Sequence, residues 1–441
     1  MTSVDRLQRS STRATLRASV AFANHPARSL AELDRGLRDV PAYAAWRALD
    51  RGSAVAIDER YAALPATTKE LTLAHAPRGF VPTSADLDAA LAAGDAELVR
   101  TSGTTGPPVT LVWSQAWWDE SERLSAELND NIAAVGGDDR EAVLASARCV
   151  GPGPSDRPRS MAERTLGRLL FPNEHADVAQ WTDDDVRRIA AELVDYGPAL
   201  LEAEPAYLAA WCASAERLAL RMPQPRVVTL SYTNPSRLER ARIGRTLGVP
   251  LASAYGSTET GTVLVECERG RMHHNAASCR IDFVPLRDSP AIGKLLVTPF
   301  GHPFACYLRF DVGDLARLAT EPCPCGRPGG ALERIEGRVQ EATITSDGRI
   351  ITVAELDDVI ATVPTSDRII SYQLEQRADG VHLRACAAAE LDVAQLGVAL
   401  RTLYRRLPVT VERVAALDPE PSGKYARVHQ RLALDRSTWF E

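Results

Sequence analysis

No run of apolar residues in this chain approaches the roughly 20 needed to cross a bilayer as a helix. No secretory signal is visible, so eight cysteines in 441 residues read as free thiols of a reducing cytoplasm rather than a disulfide framework. Positive charge is not in excess: 51 basic against 58 acidic residues give a net charge of −7. Neither a nucleic acid nor a membrane surface is therefore expected as a partner. Internal repeats and low-complexity tracts are missing. Acids are nearly missing from residues 1–30, where Asp5 stands alone among Arg, Ser and Ala. Transit peptides share that composition, but with no cleavage signal in view an amphipathic first helix is the preferred reading.

What is present is the composition of a folded chain, 45% hydrophobic and 25% charged. The length exceeds a typical single core and suits one large domain plus one small one. Residues 30–95 read as helical, with Ser84 as an N-cap before Leu87–Leu91. Val109–Trp113 reads as a strand, and a helix runs from about Gln115 to Ala133. Short apolar strands then alternate with amphipathic helices. Strands are expected at Ala142–Ala147, Leu200–Ala203, Val227–Leu230 and Leu251–Tyr255. Helices are expected at Asp183–Val194, Pro205–Leu218 and Arg237–Leu247. The alternation argues a layered α/β architecture with ligand residues at strand ends. Beyond Arg338 the order becomes helix, strand, strand, helix, strand. The expected fold class is thus a large multi-layered α/β domain, residues 1–339, followed by a small mobile α+β domain, residues 340–441.

Three stretches carry the chemistry. The first is Thr101-Ser102-Gly103-Thr104-Thr105-Gly106, four hydroxyls and two glycines in six residues. Such a loop can bring N–H and hydroxyl groups against phosphate oxygens. It is not a Walker A loop, because the Gly-Lys-Ser/Thr ending is absent. The second is Ser253-Ala254-Tyr255-Gly256-Ser257-Thr258-Glu259-Thr260-Gly261. The third is Arg309-Phe310-Asp311-Val312-Gly313-Asp314-Leu315. Gly337-Arg338 and Pro421-Ser422-Gly423-Lys424 follow.

In order and spacing these motifs resemble those of adenylate-forming enzymes, the acyl-CoA synthetase and ligase superfamily, over about residues 90–430. Within it the chain looks most like the phenylacetate–coenzyme A ligase branch. The resemblance implies ATP-dependent activation of a carboxylic acid, aromatic in that branch, to an acyl-adenylate. Transfer to coenzyme A follows, with AMP and pyrophosphate released. Acyl transfer to a carrier-protein thiol or an amine is the alternative, and a non-catalytic nucleotide-binding homologue is a third. Carried onto this sequence, Lys424 meets the substrate carboxylate and the α-phosphate, and Thr258 donates to that phosphate. Glu259 holds Mg²⁺, Tyr255 stacks on adenine, and Asp314 accepts from the ribose hydroxyls. Arg338 lies at the ribose-phosphate side and the domain joint. Gly256 and Ser257 complete the nucleotide set with the 101–106 loop. Tyr232, Ala254 and Gly261 fall in the acyl region. A cytoplasmic location follows, and a homodimer or an acyl-carrier protein is left open as a partner.

Three departures stand out. Pro107 and Pro108 replace the loop lysine, Gln340 replaces the usual hinge acid, and Ser231-Tyr232-Thr233-Asn234-Pro235 replaces Gly-Ala-Glu-Pro. A second constellation is metallic. Cys323-Pro324-Cys325 is a tight chelating pair, and Cys267 precedes His273 by six positions. The four make a Cys₃His set suited to structural Zn²⁺, with His274 or Cys279 as alternatives to His273. Some phenylacetate-ligase-like proteins carry similar residues at matching places.

Overall fold

The computed structural model describes residues 22–100, 108–153, 155, 157–327 and 330–440. The fold is mixed α/β. By contact the chain divides into two compact units. One comprises Met1–Asp130, Ala254–Ile335 and Asp435–Glu441; the other comprises Asn131–Ser253 and Glu336–Leu434.

The first unit is built on antiparallel pairing. Cys279–Leu286 pairs with Ser289–Pro299, which pairs in turn with Phe310–Leu318. Met272–His274 lies between Gly261–Glu266 and Ala331–Arg338. Phe283, Leu295, Val297, Val263 and Leu332 fill the core beneath these strands. A second core gathers Leu33, Tyr43, Tyr61, Phe80 and Leu308 under helix Pro26–Asp39. Helix Gln115–Ala126 is shorter than its periodicity suggests, with Glu127 as its C-cap. Asn129, just beyond, is buried and donates to the Glu266 carbonyl at 2.8 Å, a tertiary bond that a continuous helix would compete with. The expected Ser84 cap is instead Asp86, whose side chain accepts from the Ala89 N–H.

The second unit carries a parallel sheet and a small antiparallel-centred one. Leu251–Ser253 runs beside Val227–Leu230, then Leu200–Ala203, Glu141–Leu144 and Leu169–Leu170, all parallel. The intervening helices begin and end on clear local signals. Thr182 with Asp185, and Ser236 with Glu239, form capping boxes, and Gly197 and Gly248 close the helices in the left-handed conformation. Trp211, Leu208, Ile189 and Ile243 are buried against the sheet, each worth about 1.5–3 kcal/mol of transfer from water. The small sheet orders Val409–Val414, Gly380–Ala387, Ile369–Arg377 and Val428–Gln430. Helices Val353–Ala361 and Val393–Tyr404 pack on it. Its last strand, absent from the sequence reading, pairs parallel with Ile369–Arg377 and anchors the chain just after Lys424.

Candidate functional site

In the first unit, strand Leu251–Ser257 ends in a tight turn. The Thr260 N–H donates to the Ser257 carbonyl at 3.1 Å, and the two hydroxyls lie 3.0 Å apart. Only glycine fits on either side. A Cβ on Gly256 would lie 2.2 Å from the Gly261 carbonyl oxygen. One on Gly261, at φ +67°, would lie 2.6 Å from Ser121 Oγ. Thr258 and Glu259 occupy the middle of the turn, both half-buried. Burial raises the Tyr307 phenol, and the nearby Glu259 charge raises it further. The Tyr255 hydroxyl donates to Asp314 Oδ2 at 2.8 Å, so these two residues, 59 positions apart, meet. Ala254 pairs with Val265 on the adjoining strand.

The same unit gathers the Cys/His set. The ligand atoms of Cys267, His273, Cys323 and Cys325 all lie within 4.8 Å of one another. Cys267 Sγ is 3.6 Å from Cys323 Sγ, and Cys325 Sγ is 3.3 Å from His273 Nε2. Four atoms about 2.0–2.3 Å from one tetrahedral ion would have edges close to these lengths. Two turns place them. In the first, Cys267 N–H donates to Arg271 O and Gly270 N–H to Cys267 O, both at 2.9 Å. In the second, Gly326 N–H donates to Cys323 O at 3.2 Å. His274 and Cys279 stand apart: His274 Nε2 lies 2.9 Å from the Cys279 carbonyl. Burial pushes the Cys267 thiol up to about 11. Burial also acts upward on Cys325, but the Arg327 N–H and the neighbouring thiols outweigh it and its thiol is lowered. Burial lowers His273 and so favours the neutral ring, the form that binds a metal.

In the second unit, Lys424 sits on a turn closed by Gly423 N–H to Glu420 O and Glu420 N–H to Lys424 O, both 2.7 Å. Distant residues clamp it. Arg148 donates to Pro421 O at 2.9 Å, Cys149 Sγ to Ser422 O at 3.2 Å, and the Tyr207 hydroxyl to Gly423 O at 3.1 Å. A Cβ on Gly423, at φ +84°, would meet Ser146 Oγ at 2.2 Å. The Lys424 ammonium donates to the Tyr232 carbonyl at 3.2 Å. Tyr232 itself holds φ +67°, an uncommon conformation for a tyrosine that aims this carbonyl. Arg427 is half-buried and donates to Asp357 Oδ2 at 2.6 Å and to Asn234 O at 2.7 Å. Thus the segment that departs from the family pattern is the one that receives Lys424 and Arg427. Arg338 ends strand Ala331–Arg338, and the 3₁₀ turn Val339–Glu341 follows with Gln340 exposed.

Thr101, Ser102, Gly103, Thr104, Thr105, Gly106 and Pro107 lie outside the described residues. Sequence reasoning missed Glu204, a buried carboxylate close enough to Lys424 to feel its charge. The sequence carries one hint: Glu202 on the otherwise apolar strand Leu200–Ala203, with Glu204 immediately after it.

No family model and no curated protein matches the chain. Solved structures do. A 2-hydroxyisobutyryl-CoA ligase in the postadenylation state aligns at TM-score 0.68 and 16% identity, over 92% of this chain and 88% of that one. The same enzyme with 2-HIB-AMP and CoA in the thioesterification state aligns at TM-score 0.54 and 15% identity, over 98% and 90%. The anthranilate CoA ligase AuaEII with anthranoyl-AMP aligns at TM-score 0.54 and 14% identity, over 75% and 65%. The chain has the fold of the adenylate-forming enzymes. Among the described residues no helix is long and apolar enough to cross a membrane.

Proposed function

We propose that this chain is an AMP-forming acid–thiol ligase that activates a small carboxylic acid, aromatic by its resemblance to the phenylacetate branch, and passes the acyl group to coenzyme A. The observation that carries the reading is Lys424, held on a clamped turn with its ammonium on the Tyr232 carbonyl, in a chain with the adenylate-forming fold. In the first step a carboxylate oxygen attacks the α-phosphorus of ATP and pyrophosphate leaves. The Lys424 ammonium offsets charge on the carboxylate and α-phosphate as the transition state forms. In the second step the thiol attacks the acyl carbon and AMP leaves.

Tyr255 and Asp314 are assigned to the nucleoside, their mutual hydrogen bond fixing the tyrosine ring. Glu259 is assigned to Mg²⁺: its hard, half-buried carboxylate would suit that ion, which would offset phosphate charge when bound. Cys267, His273, Cys323 and Cys325 are assigned to one structural Zn²⁺, since four protein ligands leave no open position. The joint between a large and a small functional part is assigned to residues 339–340, where the 3₁₀ turn follows Arg338. The test is a panel of carboxylic acids scored for acid-dependent pyrophosphate release with and without CoA. Release without a thiol, and thioester only with CoA, supports the reading. No release with any acid refutes it, and acyl transfer only to an amine or carrier protein changes the acceptor.

A further inference from the structure

A parallel strand covered on both faces reads as an unbroken apolar run. Strand Leu200–Ala203 does not. Leu201 and Ala203 obey the rule and pack with Val228 and Leu230 in the core. The opposite face carries Glu202 and Glu204, with Thr229 and Ser231 from the neighbouring strand. The backbone keeps Glu204 in line: its N–H donates to Leu144 O, and the Ser231 N–H donates to Ala203 O, both at 3.0 Å. Glu202 is satisfied by the Ser231 hydroxyl at 2.6 Å. Glu204 is not satisfied. It is 0% exposed, and among the described residues no well-aligned donor bonds either carboxylate oxygen, the Ser146 N–H only lying near enough to lower the carboxyl somewhat. Thr229 Oγ1 is buried and unpartnered as well. Buried polar atoms are nearly always paired, so three orphans on one face call for an explanation. They stand toward the carboxyl ends of parallel strands, where α/β sheets bind ligands, and Glu204 is close enough to the Lys424 ammonium to feel its charge.

We infer that Glu204 and Thr229 form a subsite for a neutral hydrogen-bond donor, a hydroxyl or an uncharged amino group, carried on the carboxylic acid that the chain activates. The inference rests on the acid-activating reading above and narrows its substrate class. Burial pushes the Glu204 carboxyl up to about 8, against the pull of Lys424. At neutral pH it is an uncharged acid, able to accept from a donor and to give its own O–H. An ammonium group would meet the Lys424 charge, so a neutral donor fits better. A hydrocarbon acid would leave all three atoms unpaired, which is how a polar site rejects the analogue lacking its hydroxyl.

The test separates binding from catalysis. Benzoate is titrated calorimetrically against 3-hydroxy-, 4-hydroxy- and 4-aminobenzoate, and butanoate against 2- and 3-hydroxybutanoate, with and without α,β-methylene ATP. At least one donor-bearing acid should bind about tenfold or more tighter than its parent, and Glu204→Met should erase most of that gap. Thr229→Val, nearly isosteric, should narrow it while leaving the melting temperature close to wild type. Equal binding of parent and donor-bearing acids overturns the subsite. So does a gap that survives both substitutions, and so does no binding of any acid. Pyrophosphate release is measured in parallel on the same protein and acids with ATP in place of the analogue. A preference of this kind without any release refutes the ligase reading and leaves the subsite standing.

Discussion

The Cys267–His273–Cys323–Cys325 cluster draws its four ligand atoms from two short turns, whereas the Lys424 loop is a single turn held by residues 192 to 273 positions away. In the cluster, each turn is set by its own backbone bonds and a glycine, Gly270 or Gly326, with positive φ. Local geometry thus sets each cysteine turn, and the pairing of Met272–His274 with Ala331–Arg338 brings the two halves together. In the Lys424 loop nothing local aims the ammonium. Arg148, Cys149 and Tyr207 fix the loop, and Tyr232 supplies the acceptor. The cluster is a self-contained device whose loss should be felt in the fold. The loop is a borrowed one whose loss should be felt in the chemistry.

The largest expected effect comes from breaking the loop. Lys424→Ala should lower acid-dependent pyrophosphate release by about 10²-fold or more, the scale of losing one charge contact in a transition state. Thioester formation from supplied acyl-adenylate should be spared, because that step does not need the same contact. Rapid-quench measurement of each half-reaction checks this. An equal loss in both steps would make Lys424 a structural residue and erase the contrast with the cluster.

Next comes the cluster. Cys323→Ser replaces a soft ligand and leaves three, so metal analysis of freshly purified protein should fall from about one zinc per chain to a small fraction. The melting temperature should drop by roughly 5–10 °C, since site formation is coupled to folding. Finding no zinc in wild-type protein would sink the assignment. Full pyrophosphate release by the surviving folded fraction would sharpen the comparison, since it separates stability from chemistry.

The difference between these regions is also the difference between what the sequence revealed and what it hid. Sequence reading grouped Cys267, Cys323 and Cys325, and left the fourth ligand among His273, His274 and Cys279. Strands Leu200–Ala203 and Val227–Leu230 and helix Arg237–Leu247 were legible to the residue because caps such as Ser236 and Gly248 mark their edges. Strand Val428–Gln430 was not, because three residues carry no period and their partner lies more than 50 positions upstream. Glu204 was hidden for a related reason. A glutamate preceding Pro205 reads as a helix-starting residue, and the groups around it, Leu144 and Lys424, come from two other segments.

The smallest expected effect tests whether the loop region holds a buried carboxyl as described. Burial pushes Glu204 in the folded chain up to about 8, far above the ordinary carboxylate value, although Lys424 pulls it down. An unfolded chain would release that proton near pH 4. Between these values the folded state binds the extra proton, so stability contributed by this group is complete below about pH 4 and is lost as pH rises toward 8. Glu204→Gln has the same shape and no proton to lose. Its melting temperature relative to wild type should therefore rise across pH 5 to 8.5, by about 2–5 °C in all. Scanning calorimetry of both proteins at several pH values measures the difference directly. A flat difference would mean that Glu204 is solvated or firmly paired with Lys424 in solution. The unpartnered face beside the loop would then be lost, and the donor subsite with it.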